Sequence, residues 1–144
     1  PVSHIEKTDF TGSHCLKVPN CCEKPSPVHR VCYRHQCVTT AILFTKTAGI
    51  SSFSIAFYSH LKTKKWIGPF LEEELLRLAK NGIDKVAVIA PSFVVDCLET
   101  IYELGINAKN LFMNAGGKYF YVAPSLNSHE KWVKSLSKWI CEFL

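Results

Sequence analysis

Five cysteines, Cys15, Cys21, Cys22, Cys32 and Cys37, fall in the first quarter of the chain, separated by five, no, nine and four residues. Thiolates are soft ligands suited to zinc or to iron–sulfur centres, and a metal would order a segment that has no apolar core of its own. Zinc ordinarily takes cysteines paired across a short gap. Here only Cys32 and Cys37 show one, and His14, His29 or His35 would have to complete the set. Two readings need no metal, namely disulfides or small buried hydrophobes that happen to be cysteine. Spacing alone divides evenly between metal and no metal. Cys97 and Cys141 stand on apolar helical faces and read as packing residues.

A second group is acidic. Asp96, Glu99 and Glu103 are spaced i, i+3 and i+7, which puts them on one face of a helix. They follow a run that reads as a buried strand, and ligands of open α/β sheets gather outside the carboxyl ends of strands. Glu99, one turn into the helix, is then near the expected crevice. The competing reading is a solvated acidic face, the usual state of surface carboxylates. A third group, Lys62-Thr63-Lys64-Lys65 followed by Trp66, has the basic and aromatic character that serves phosphates and stacked bases. Short charge runs more often form a solvated loop rim, so a nucleic-acid partner is not expected.

The elements that must carry these residues follow from the apolar pattern. Residues 1–29 hold Pro1, Pro19, Pro25, Pro27 and Gly12 without a sustained apolar period, which predicts an irregular Cys- and Pro-rich segment distinct from a domain over 30–144. Near-helical spacing of Val31, Cys32, Val38, Ile42 and Thr45 predicts a helix before Gly49. Alternation in Phe53-Ser54-Ile55-Ala56-Phe57 predicts a strand. A helix follows Pro69, with Glu72, Glu73 and Glu74 at its start, Lys80 near its end and Asn81-Gly82 as its stop. Lys85 to Ala90 reads as a strand buried on both faces. Pro91 ends it, and a helix over Val94 to Leu104 leads to strand candidates at Asn110 to Met113 and Tyr119 to Val122. A last amphipathic helix runs from near His129 to Phe143. The alternation points to a doubly wound, mainly parallel α/β sheet flanked by helices.

The chain has 144 residues, 47% of them hydrophobic, and a formal charge of +5, which excludes global disorder. No apolar run approaches the ~20 residues of a spanning helix. Residue 1 is proline and the only methionine is Met113, so the chain is expected to be a piece of a longer protein.

Ser92-Phe93-Val94-Val95-Asp96-Cys97-Leu98-Glu99-Thr100-Ile101-Tyr102-Glu103 resembles the ferrochelatase signature F-x-S-D-x-(I/L)-E-T-L-x-E, which also comes after a buried strand. Trp66-Ile67-Gly68-Pro69 is similar to that family's W-(L/I)-x-P segment, Ala115-Gly116-Gly117 to its A-G-G turn, and Leu126-Asn127 to its late L-N motif. Pro1-Val2-Ser3-His4 resembles the stretch at the end of the family's H-G-(I/L)-P loop. The likeness extends over the whole chain as the C-terminal part of such an enzyme. The sequence departs from the family at Tyr58 to Lys62, at Lys65 before the tryptophan and at Asn114 before A-G-G, changes that bear on cleft shape and substrate preference.

The resemblance implies insertion of Fe(II), the metal substrate, into a porphyrin in haem biosynthesis. It makes Glu99 the catalytic carboxylate, places Asp96 and Glu103 beside it as metal-handling or proton-path groups, and puts Trp66 and Phe93 near the porphyrin. The histidine of the H-G-(I/L)-P loop would lie upstream of Pro1, so these residues alone should be inactive without the N-terminal part of the same protein. The cysteine segment resembles the internal insertion of bacterial ferrochelatases that bind a 2Fe-2S iron-sulfur cluster. On that likeness Cys15, Cys21, Cys22 and Cys32 are the expected ligands, with Cys37 in reserve because five residues along a helix turn it away from Cys32. A cytoplasmic location is expected, with contact at a membrane surface left open. The alternative is a non-catalytic metal- or tetrapyrrole-binding module on the same fold.

Overall fold

The computed structural model describes residues 1–58 and 65–143, so Lys62 to Lys64 of the basic run lie outside the described residues. The chain folds as two units, Pro1–Leu71 and Glu72–Leu144.

In the first unit the expected irregular segment opens with a helix, α1 (Val2–Thr8), whose Ile5 is buried. Turns lead on to a short 3-10 helix at Pro27–Arg30, where the Ser26 hydroxyl accepts the Val28 N–H at 3.4 Å. Cys32 is the N-cap of α2 (Tyr33–Ala48), which ends at Gly49 in the left-handed conformation that glycine adopts without a Cβ clash. Ile5, Cys15, Val28, Cys32 and Ile67 form the buried cluster, with Val2 and Phe57 packed against it. Two of its five members are cysteines. The segment therefore does have a small core, in which thiols pack beside aliphatic side chains. Phe53 to Phe57 is no strand: Phe53 is exposed, and only Phe57 pairs, in an isolated parallel bridge to Phe70.

The second unit carries α3 (Leu71–Lys80), which starts at the boundary, then β1 (Lys85–Val88), a π-helix (Glu99–Ala108), α4 (Lys109–Asn114), β2 (Tyr119–Val122) and α5 (Glu130–Cys141). Acid at the start and base at the end of α3 oppose the helix dipole, and Arg77 grips Glu74 through two hydrogen bonds of 2.6 and 2.8 Å. β1 and β2 pair in parallel, with Lys85 opposite Tyr119 and Val88 opposite Val122. The π-helix and α4 form the crossover between them.

This corrects the expected fold class. Among the described residues the sheet has two strands, not the many of a doubly wound α/β sheet, and the chain is mostly helical. Three local facts account for the difference. The Lys85 to Val88 strand alternates exposed and half-buried residues, so it is covered on one face rather than two. Asn110 to Met113, expected as a strand, is α4, because Leu104, Ala108 and Phe112 recur every four residues and bury one continuous helical stripe. The third is the failure of Phe53 to Phe57 to pair. Gly117 lets Phe112 close this packing: a Cβ there would lie 2.2 Å from the ring. No helix among the described residues is long and apolar enough to cross a membrane.

Candidate functional site

The acidic group lies where β1 gives way to the π-helix. Glu99 opens that helix and Glu103 comes later within it, both half-buried, whereas Asp96 stands before its first turn. Hence the shared helical face expected for all three holds only for Glu99 and Glu103. π-helices, with their i→i+5 bonds, are rare and are frequently found at functional sites. The Cys97 thiol donates to the Glu99 carboxylate, and with the Glu99 backbone N–H it holds that carboxyl below the usual carboxylate range.

Asp96 is held differently. Its Oδ2 accepts the Asn127 amide at 2.7 Å, while Oδ1 faces the Thr100 hydroxyl at 3.0 Å and the Ser125 N–H at 3.3 Å. Its backbone N–H donates to Asn127 Oδ1 at 2.9 Å. The Asn127 and Ser125 hydrogen bonds lower the Asp96 pKa. The Thr100 hydroxyl also accepts the Cys97 N–H at 2.9 Å, tying the acidic loop to the first turn of the helix. Phe93, half-buried in the same loop, is fixed by its N–H to Ala90 O at 3.0 Å.

The first unit holds the thiols. Cys15, Cys21, Cys22 and Cys32 are buried and form no disulfide, and Cys37 is half-buried within α2. Asp9, itself buried, is the anchor of this loop. Its Oδ2 accepts the N–H groups of His14 at 2.9 Å and Cys15 at 2.8 Å, and its Oδ1 accepts from Thr11. These bonds, led by the Thr11 hydroxyl, hold the Asp9 carboxyl far below the ordinary range. Burial, then the hydrogen-bonded Cys32 thiol, push the Cys15 pKa up to about 12, with Asp9 and Cys21 adding repulsion. Burial also raises Cys22, against the opposing pull of Arg34, whose guanidinium donates to its sulfur at 3.1 Å.

Three imidazoles, unremarked in the sequence except as spare zinc ligands, brace this loop. His14 and His29 donate from Nε2 to Cys21 O at 2.8 and 2.9 Å, and His35 donates from Nδ1 to Cys22 O at 3.0 Å. His29 and His35 stack at 3.7 Å between centroids. A carbonyl only accepts, so each of these nitrogens carries its proton and is not a metal ligand in this arrangement. Among the described residues no three His, Cys, Asp or Glu side chains are closed around a point where a metal ion would sit. The donor set itself, four buried thiols linked through Cys15–Cys32 and Cys21–Cys22 hydrogen bonds, has the number and softness that a two-iron cluster takes.

Trp66 is half-buried and lines an apolar hollow of about 430 Å³ with Pro1, Ile5, Tyr33, Phe57 and Phe70. Sequence reasoning singled out only Trp66 here. Nothing in the sequence tied Pro1, Ile5 or Tyr33 to that side chain.

The ferrochelatase family model matches residues 1–144. A ferrochelatase of Stutzerimonas stutzeri (strain A1501) is 42% identical over 139 residues, covering 94% of this chain and 41% of that protein. One of Pseudomonas fluorescens (strain Pf0-1) is 42% identical over 145 residues, covering 99% and 42%. One of Opitutus terrae is 40% identical over 139 residues, covering 95% and 40%. The chain spans about two-fifths of the length of these curated relatives.

Proposed function

The chain belongs to the ferrochelatase family, and from that premise we propose that it supplies the carboxylate for Fe(II) insertion into a porphyrin. The observation that carries the proposal is Glu99, held ionised by the Cys97 thiol at the first turn of a π-helix after β1.

The reaction exchanges one Fe(II) for the two pyrrole N–H protons of the macrocycle, so a site must attract a dication and remove two protons. An ionised carboxylate does both. It draws the metal by charge and accepts a proton as the nitrogen begins to bind iron. Because its pKa is depressed, Glu99 does not keep that proton. Glu103, next along the same helix, is the onward acceptor, which frees Glu99 to take the second proton. Within the second unit Phe93, in the loop before Glu99, is the aromatic contact to the flat macrocycle, and Trp66 is the aromatic residue of the first unit that its family likeness assigns to substrate.

For the cysteines, the reading is a [2Fe–2S] cluster on Cys15, Cys21, Cys22 and Cys32, with Cys37 outside it. The burial of four thiols in one loop and the start of α2 supports it, and a positive metal centre would stabilise their thiolates. Bound there, a cluster supplies a cross-link between the loop and the start of α2, and a one-electron centre.

The test is metal insertion by the full-length protein, monitored by porphyrin absorbance. Turnover that falls at least about 100-fold in Glu99→Ala supports the assignment. Undiminished turnover refutes it and leaves a tetrapyrrole- or metal-binding module without this chemistry.

A further inference from the structure

Asn127 lies 31 residues beyond Asp96, and the two exchange a pair of hydrogen bonds: Asp96 N–H to Asn127 Oδ1 at 2.9 Å and Asn127 Nδ2–H to Asp96 Oδ2 at 2.7 Å. The direction of the amide is fixed by its partners, because a backbone N–H needs an acceptor and an ionised carboxylate needs a donor. The Asn127 backbone is equally committed. Its φ is +47°, the left-handed region that asparagine tolerates better than most side chains, and its own N–H donates to Val94 O at 2.9 Å. An exposed loop residue thus spends its side-chain amide and its backbone N–H on the segment that leads into Glu99.

On the Asp96 side, both carboxylate oxygens are occupied, by Asn127 on Oδ2 and by Ser125 and Thr100 on Oδ1. Thr100 sits directly after Glu99 and Asp96 three residues before it, so the catalytic carboxylate is carried on a turn pinned at both ends. We infer that Asn127 is a positioning residue for Glu99, acting through Asp96, and that Asp96 serves as the anchor of that turn and not as a ligand for iron. This rests on the proposed role of Glu99. Misplacing a reacting group by about 1 Å costs on the order of 100-fold in rate, which sets the expected size of the effect.

An exchange of the two residues separates anchor from ligand. In the double substitution Asp96→Asn with Asn127→Asp, the amide at 96 donates to the carboxylate at 127. That carboxylate still accepts the 96 N–H, and the amide oxygen at 96 still accepts from Thr100 and Ser125. Every bond survives, while the negative charge leaves position 96. In the full-length protein, Asn127→Asp and Asp96→Asn alone are expected to lower kcat about 10- to 100-fold, with KM for porphyrin within about 3-fold. The exchange is expected to recover kcat to within about 3-fold of the unsubstituted protein, which a role for charge at 96 would forbid. An exchange as slow as Asp96→Asn, or single substitutions without effect, overturns the inference while the Glu99 reading stands. An unsubstituted protein without chelatase activity overturns both. Circular dichroism of each variant separates a lost fold from a displaced carboxylate, and recovery in the exchange does so independently.

Discussion

The Cys97 thiol donates a hydrogen bond to the carboxylate of Glu99, two residues further along the chain. A neutral donor on an ionised acceptor favours the charged form, so the pair keeps Glu99 ready for a cation.

Removing that donor should move the acid limb of the pH profile. In Cys97→Ala the Glu99 pKa rises toward its ordinary value, so ionised Glu99 is lost at a higher pH as the solution is acidified. In the full-length protein, the acid limb of the kcat/KM profile for metal insertion is expected to shift upward. A limb that stays in place or moves down contradicts the thiol's role.

Gly117→Ala should destabilise the second unit. The new methyl would meet Phe112, which is fully buried and whose ring lies 5.8 Å from that of Phe120. Overpacking of this kind costs about 1–3 kcal/mol. Denaturant unfolding with an unchanged midpoint would show that Phe112 has room to move aside.

Asp9 predicts an acid-sensitive loop. Its carboxyl is depressed in the folded chain, so its contribution is complete above the unfolded carboxylate value of about 4 and declines as pH falls toward the folded value. In Asp9→Asn the charged acceptor for the His14 and Cys15 N–H groups is gone. Acid unfolding, monitored by circular dichroism below about pH 4, should then be less steep than in the unsubstituted protein. An identical slope would show that Asp9 does not couple to folding.

The thiol assignment makes a separable prediction. In full-length protein prepared without oxygen, iron and acid-labile sulfide should disappear in Cys15→Ser and in Cys32→Ser and persist in Cys37→Ser. Retention of both in Cys15→Ser would remove that residue from the ligand set, and loss in Cys37→Ser would place it there.

Periodicity made part of this structure legible. The strands at Lys85–Val88 and Tyr119–Val122 and the helices at Leu71–Lys80 and Glu130–Cys141 arise from apolar spacing and from the charges at the helix ends. Asn110 to Met113 misled because three apolar residues in a row suit a short strand as well as a helix. The decision lay in the four-residue rhythm reaching back to Leu104, a helix that runs through Gly105 instead of stopping there. The acidic residues were visible as a cluster, but the difference between Asp96 and Glu99 was not. It arises from Asn127 and Ser125, about thirty residues away, whose amide and N–H no local pattern ties to Asp96. The histidine brace was hidden for the same reason, since its acceptors are backbone carbonyls.

The most direct measurement is a single-turnover metal-insertion assay on full-length protein, unsubstituted and Glu99→Gln, with porphyrin binding recorded on the same samples by quenching of tryptophan fluorescence. Glutamine keeps the shape and removes the charge and the proton acceptor. Porphyrin binding is expected to be unchanged and the insertion rate lower by about 100-fold or more. An insertion rate equal to that of the unsubstituted protein would contradict the role given to Glu99.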